Sequence, residues 1–451
     1  MERVLANLKK ILPRHVFLFL QPVYHFSLAW FAALFYGFPS RKLFVIGVTG
    51  TKGKTTVVEL LHEILGETGR GAASISSLRF KVRDKEERNE RKMTMPGRFF
   101  VQRFLHLAIA ARCHYVILEV TSEGIKQFRH RFIKFDAAVM TNVAPEHIEA
   151  HGSFEKYLRA KLDLFWRLSR DALAVLNCDD LYVDRFRAAT SAHVFLYGET
   201  GVEGGGSEWA VRSASITGQG IEFDIGGQTI VSSLLGRFNF YNILAAVSVG
   251  LNQHIPIEKI ASAIERVRGI PGRLEFVQRE PFVVIVDYAH TPDSLKNVYT
   301  FLREQLSARR MICVLGAAGG GRDKWKRPEF GKIAAEFCDE VILTDEDPYD
   351  EDPNQILSEI ESGISNFSAF AEASAGRQFP ISKILDRREA IRAALKLAKP
   401  GDTVICTGKG AESWVMGPHN TKIPWDERRV VREEFDKLHQ YKSRPPRDHV
   451  L

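Results

Sequence analysis

Leu43 to Val48 is an apolar, β-branched run with glycine near its end, the pattern of a strand buried on both faces. After a glycine-rich turn, Val57, Val58, Leu60, Leu61, Ile64 and Leu65 recur at helical spacing and predict a helix over 55–65. Tyr115–Val120 and Ala137–Met140 read as further strands with helical stretches between them, so a mostly parallel sheet flanked by helices is expected. From Gly198 to Gly227 the texture changes to glycine, serine and short alternating runs, which predict small antiparallel strands. A helix over Asn239–Leu251 then returns the chain to the main layer. Pro271-Gly272 breaks the pattern, and a second α/β series follows, with strands at Val283–Val286, Ile312–Leu315, Val341–Thr344 and Thr403–Thr407. The expected layout is a hydrophobic stretch over 1–41, a central domain over 42–272 and a C-terminal domain over 273–451.

The first stretch is the compositional oddity. Val16 to Phe38 is rich in aromatics and leucine and is about long enough to span a bilayer. Gln21, Pro22, His25 and Ser27 interrupt it, and no small-residue cleavage site follows, which argues against a removable signal. With Arg14, Arg41 and Lys42 at its flanks it reads as a helical hairpin or an interfacial segment touching a membrane, or else as a segment packed on the central domain. The 45% hydrophobic and 26% charged residues describe a folded body rather than a disordered one. Lys+Arg 62 against Asp+Glu 55 gives +7, a mild excess suited to polyanionic small molecules. No basic run is interleaved with aromatics, so a nucleic-acid partner is not expected. Cys113, Cys178, Cys313, Cys338 and Cys406 are scattered without a C-x-x-C pair, and all are expected as buried free thiols in a reducing cytosol.

Candidate chemistry begins at the first turn, Gly47 to Thr56 (GVTGTKGKTT). Gly50 and Gly53 let the backbone curl so that successive N–H groups, from Thr51 to Thr56, face one anion. The helix N-terminus that follows adds partial positive charge. Lys54 can reach the β- and γ-phosphates, and the Thr55 hydroxyl can ligate Mg2+. The general pattern wants glycine six residues before Lys54, where this chain has Val48, so the loop is a variant. The fold class is thus α/β, a P-loop-type parallel sheet followed by a Rossmann-like domain.

Glu119 closes the second strand, where open α/β sheets place their ligand crevice. His147 follows the next strand, and Lys161 lies in a helical stretch. Singly, such a histidine or lysine is usually structural or solvated. Their order after a phosphate loop makes them candidates. The series Gly50–Thr56, Glu119-Val-Thr-Ser, Thr141-Asn142, His147, Tyr157-Leu-Arg-Ala-Lys161, Gly236-Arg-Phe-Asn239, Pro271-Gly-Arg273, Asp287-Tyr-Ala-His290, Arg322-Asp-Lys and Gly408-Lys-Gly410 resembles the Mur ligase family of cell-wall synthesis. The likeness runs in order from about Lys42 onward, and is greatest to the branch that adds the third residue of the peptidoglycan stem.

That resemblance implies an ATP-dependent amide ligase working through an acyl-phosphate, with Lys54, Glu119, His147 and Lys161 as its catalytic set. Lys54, Thr55 and Glu119 would hold the ATP phosphates and one Mg2+; His147 and Lys161, the latter as a CO2-derived carbamate, would support a second. Asn142, Asn239, Arg273, Asp287 and His290 would complete the ATP site. Thr94, Thr121, Gln127 and Arg129 match positions that meet the nucleotide-sugar peptide. Arg322, Asp347, Tyr349, Gly408 and Glu412 match the amino-acid pocket, Arg322 on the α-carboxylate and Asp347 or Glu412 on an ammonium. The amino acid implied is L-lysine or meso-diaminopimelate, with lysine favoured because Tyr349 stands where diaminopimelate enzymes carry arginine. Met95 and Glu123 depart from the family pattern, and Val16–Phe38 stands where the family has a uridine-nucleotide domain. A cytoplasmic monomer, with membrane contact through Val16–Phe38 at the inner face, is the accompanying expectation. The rivals are a folylpolyglutamate-type ligase and a nucleotide-binding protein without turnover. Glu119-Val-Thr-Ser and Gly408-Lys-Gly-Ala-Glu412 favour the muramoyl branch over the first, and the intact catalytic set argues against the second.

Overall fold

The computed structural model describes residues 14–442 except 92, 147, 203–208 and 376–379. Its first body is a nine-stranded sheet ordered β4-β3-β2-β5-β1-β6-β7-β8-β9. These are β1 (Phe44–Thr49), β2 (Ala72–Ile75), β3 (Arg79–Val82), β4 (Lys85–Arg88), β5 (Tyr115–Glu119), β6 (Ala137–Met140), β7 (Leu173–Asn177), β8 (His193–Gly198) and β9 (Gly201–Val202). The run β2-β5-β1-β6-β7-β8 is parallel, and β3, β4 and β9 add antiparallel edges.

Alternation along each strand sends neighbouring side chains to opposite cores. Ile46 and Val48 join Ile117 and Val139 on one face, while Val45 joins Val116 and Ala138 on the other. With both faces covered, the strands read as unbroken apolar runs. The helices that matter below are α1 (Arg14–Phe35), α2 (Lys54–Gly66), α3 (Arg98–Ala110), α4 (Ser122–Lys126), α5 (Phe154–Trp166), α6 (Arg237–Asn252) and α7 (Lys326–Phe337). Val57 and Leu61 of α2 with Ile243 and Val247 of α6 cover the first face. Val101 and Leu105 of α3 with Leu158 and Leu162 of α5 cover the second. The glycine- and serine-rich region yields a small antiparallel sheet of β10 (Arg212–Ile216), β11 (Ile221–Ile225) and β12 (Gln228–Ser232), as its texture predicts.

The second body is a six-stranded sheet ordered β13-β14-β18-β15-β16-β17. Here β14 (Val283–Val286), β15 (Met311–Leu315), β16 (Glu340–Leu343), β17 (Ile381–Lys383) and β18 (Thr403–Cys406) are parallel, and β13 (Glu275–Gln278) adds an antiparallel edge. Gly272, at φ +65, sits so close to Ala411 that a Cβ would collide with its backbone, which explains the glycine at the break.

Two expectations are corrected. Val16–Phe38 is not a hairpin: α1 runs continuously through Pro22. Proline removes one helical hydrogen bond, a cost of about 3 kcal/mol. Burial of Ala29, Ala32 and Ala33 and edge contacts of Phe26 with Phe128 and Phe132 offset it. Among the described residues no helix is long and apolar enough to cross a membrane. The cysteines are not all free either: Cys313 on β15 and Cys338, just after α7, form a disulfide, with their Cα atoms 6.2 Å apart. A separation of 25 residues hid a pairing that the βα turn brings together.

Candidate functional site

β1 delivers the chain to the glycine-rich turn and α2 carries it away from Lys54. Gly50 has φ +151 and Gly53 φ +82; a Cβ at the first would strike Thr141 Oγ1, and at the second Asn242 Oδ1. Glycine is therefore required at both. The end of β6 holds the loop from below. Thr141 Oγ1 donates to Lys52 O at 2.6 Å, and Asn142 accepts from Lys52 N at 2.9 Å while donating to Lys52 O at 3.1 Å. The Thr51 hydroxyl lies 2.9 Å from that of Tyr157 and accepts from Ala144 N at 2.9 Å. Asn142 and Thr51 thus brace the loop. Asn239 donates to Leu235 O at 2.8 Å and accepts from Asn242 at 2.9 Å, which seats Asn242 against Gly53. Thr56 is buried inside α2.

Lys54 Nζ donates to Gly50 O at 3.1 Å and Thr51 O at 2.9 Å, placing its charge across the loop mouth. Thr55 Oγ1 donates at 3.0 Å to Glu119 Oε2, which also accepts from Ser77 N at 2.8 Å. A hydroxyl and a carboxylate beside a phosphate loop are hard oxygen donors, and they fit Mg2+. Lys161 is buried, donates to Gly50 O at 2.6 Å and stands 4.5 Å from the Tyr157 ring centre. Burial, helped by Lys54, holds its amine well below the usual lysine range, which favours the neutral form. His147 lies outside the described residues. Among the described residues no three His, Cys, Asp or Glu side chains gather as a metal site, so Thr55, Glu119 and Lys161 alone represent the expected set.

Glu146 is a junction that sequence reasoning missed. It accepts from Lys52 Nζ at 3.1 Å and lies 3.5 Å from Nε2 of His290, across from the second body. Burial, then Lys52, lowers His290 to about 3, so the ring is neutral. Its Nδ1, 2.7 Å from Tyr288 O, carries the proton on hydrogen-bonding grounds. Burial lowers Lys52 to about 8 against the pull of Glu146. Asp287 accepts from Leu274 N and Ala289 N, both at 2.6 Å, and Arg273 stacks 4.2 Å over Tyr288. A second bridge between the bodies pairs Glu149 N with Asp323 Oδ1 and Lys324 N with Glu149 Oε1, both at 2.9 Å.

The expected amino-acid pocket is built around a lysine not singled out as a site residue. Lys409, fully buried, donates to Asp347 at 2.9 Å, Glu412 at 2.6 Å and Trp414 O at 2.8 Å. Asp347 and Glu412 are therefore already matched to an internal ammonium. Gly408, at φ +99, leaves room for Glu346, whose carboxyl burial pushes up to about 7. Against burial, Tyr288, Tyr349 and Glu123 of α4 in the first body hold Arg322 above the usual arginine range. The Glu123 departure thus faces the C-terminal site.

On the donor side, Thr121 caps α4 by accepting from Gly124 N at 3.1 Å, and Thr94 is half-buried ahead of α3. Arg129 donates to Gln127 Oε1 at 2.7 Å and to Met95 O. The site residues thus form three groups, around the loop, Lys409 and Gln127, with Glu146 linking the loop to the second body.

A phosphate loop on a parallel sheet, joined by polar contacts through Glu146 and Glu149 to a second α/β body, defines a two-domain nucleotide-dependent enzyme. A model of the Mur ligase middle domain matches residues 48–250, and one of the Mur ligase glutamate ligase domain matches residues 272–410. A UDP-N-acetylmuramoyl-L-alanyl-D-glutamate–2,6-diaminopimelate ligase of Syntrophomonas wolfei is 36% identical over 414 residues, 90% of this chain and 81% of that protein. A UDP-N-acetylmuramyl-tripeptide synthetase of Roseiflexus is 37% identical over 441 residues, 91% and 82% of the two chains. A solved 2,6-diaminopimelate ligase of the same kind is 27% identical, covers 88% of this chain and 79% of its own, and superposes with TM-score 0.58. Mycobacterium tuberculosis folylpolyglutamate synthase, at 17% identity, 86% and 92% coverage and TM-score 0.68, shares the fold. The chain belongs to the Mur ligase family, ATP-dependent, ADP-forming amide ligases that generally use Mg2+.

Proposed function

We infer that this chain adds meso-diaminopimelate to UDP-N-acetylmuramoyl-L-alanyl-D-glutamate in peptidoglycan synthesis. The observation that carries it is that relatives matching nine tenths of the chain at 36% identity are named for that reaction. The donor carboxylate attacks the γ-phosphorus of ATP, the bond to ADP breaks, and an acyl-phosphate forms. The amine then attacks the acyl carbon, loses a proton, and expels phosphate. Residues 42–272 handle nucleotide and donor in this reading, and 273–451 bring the amino acid.

Lys54 and the curled loop bind and orient the phosphates, while Thr55 and Glu119 would hold Mg2+, which supplies charge neutralisation when bound. Neutral Lys161 can add CO2, its nitrogen bonding carbon as a proton leaves; the resulting carbamate would provide an anionic oxygen ligand, and His147 a neutral nitrogen ligand, for a second ion. A second reading, L-lysine, is favoured by Tyr349, which cannot fork onto a distal carboxylate as arginine does. The enzyme acts as a cytoplasmic monomer, with α1 against the membrane interface. The deciding experiment is phosphate release with a matrix of muramoyl and folyl donors and amino acids, Lys54→Ala serving as the blank. Release undiminished in Lys54→Ala would remove the ATP-site assignment. Turnover with glutamate alone would favour the folate-type rival.

A further inference from the structure

Helix α1 reaches the donor-side residues. Phe26 packs edge-on to Phe132 at 5.1 Å and to Phe128 at 6.2 Å, laying this turn of α1 over the loop that carries Gln127 and Arg129. His25, next to Phe26, is only 6% exposed, and among the described residues neither ring nitrogen has a hydrogen-bond partner. A buried imidazole without a partner is costly unless something absent from the protein satisfies it.

Its surroundings indicate what that is. Among the described residues the charged groups acting on His25 are Arg98 and Arg129. Arg98 opens α3 and donates Nε at 3.0 Å and Nη2 to Gln127 O, while Arg129 holds the Gln127 side chain. Two guanidinium groups are thus gathered on one residue. Among the described residues the charged groups acting on Arg98 are Arg129 and Tyr24, with no carboxylate among them. Burial and this crowding lower Arg98 to about 10 and His25 to about 4. The N-cap of α3, Gly97, supplies no side-chain acceptor, so the positive end of a 13-residue helix adds to the same field. Like charges held together in a part-buried place are relieved by an anion.

We propose that the donor site extends onto α1, with His25 and Arg98 binding an anionic oxygen group of the muramoyl donor beside Arg129. This rests on the donor reading above. The group is either the nucleotide diphosphate or the glutamyl carboxylate, which share charge and hydrogen-bond acceptors. A charge-assisted hydrogen bond lost from a buried site weakens binding by roughly tenfold to a hundredfold.

His25→Leu and Arg98→Met are compared with the wild-type chain for donor and ATP KM, using the nucleotide-linked donor and the same muramoyl dipeptide without nucleotide. The donor KM is expected to rise at least tenfold with ATP KM unmoved. A rise confined to the nucleotide-linked donor assigns the diphosphate, and a rise with both assigns the carboxylate. Arg98→Lys, which keeps charge but loses the fork, carries the comparison if Arg98→Met fails to fold. Unmoved donor KM in both His25 and Arg98 variants, with wild type active, overturns the inference and leaves the ligase reading intact. Absence of calorimetric donor binding by wild type removes both.

Discussion

Replacing Lys409 with methionine tests the buried ion cluster of the C-terminal body. The substitution keeps the side-chain volume but removes three donated bonds, to Asp347, Glu412 and Trp414 O. It leaves two carboxylates facing each other beside Glu346, which burial already raises to about 7, and Asp345, raised to about 6. Breaking a buried pair by deleting one partner costs about 3–5 kcal/mol. Glu412 keeps 24% of its side-chain exposure against 9% for Asp347, so part of its solvation survives and the lower figure applies. About 3 kcal/mol corresponds to a fall of roughly 6–12 °C in the melting of a domain this size. Lys409 itself is raised above the usual lysine range by Glu412 and Asp347 despite burial, so its contribution is constant from pH 5 to 9. The pH dependence comes from Glu346 and Asp345, whose carboxyls burial raises and Lys409 pulls down. Without Lys409 both carboxyls rise further above their unfolded range, so the variant keeps its stability at low pH and loses it as pH climbs through the folded values. Urea and thermal melts at pH 5.5 and pH 8 should therefore show the larger deficit at pH 8. An equal deficit at both, or a loss below about 1 kcal/mol, would refute the electrostatic account and leave Lys409 as packing.

Lys161→Ala should be nearly inactive and partly rescued by short-chain carboxylates; 13C NMR of wild type under labelled CO2 without a carbamate signal would count against the modification. Activity should also fall with acidification as the Lys161 amine takes a proton and the carbamate is lost, a trend that added bicarbonate should oppose. Tyr349→Arg should raise kcat/KM for meso-diaminopimelate over L-lysine by roughly tenfold or more, since a bidentate fork replaces one hydroxyl; an unchanged ratio removes Tyr349 from specificity. Leu20, Val23, Trp30, Phe31, Leu34 and Phe35 of α1 are exposed, so the full chain should float with anionic vesicles, and Trp30→Ser with Phe31→Ser should abolish flotation. Failure of wild type to float ends the membrane reading.

Much was legible in the residues alone, because the signals were local. Strand runs, helical spacing and the turn at Gly50–Lys54 each lie within a dozen residues, and α/β alternation follows from them. The loop's glycines stood in the sequence for the same reason that the structure requires them, since a curled backbone has no room for a side chain. What depended on strand order could not be read. The contact of Lys52 with His290 spans 238 residues, and Lys409 meets Asp347 across 62. Neither Glu146 nor Lys409 carries a local mark as a junction, because a charge pattern does not name its distant partner. Cys313–Cys338 and His25 beside Arg98 have the same origin. Composition determined which segments must be buried. Only packing the sheets and laying α1 over the Gln127 loop decided which buried polar groups would meet.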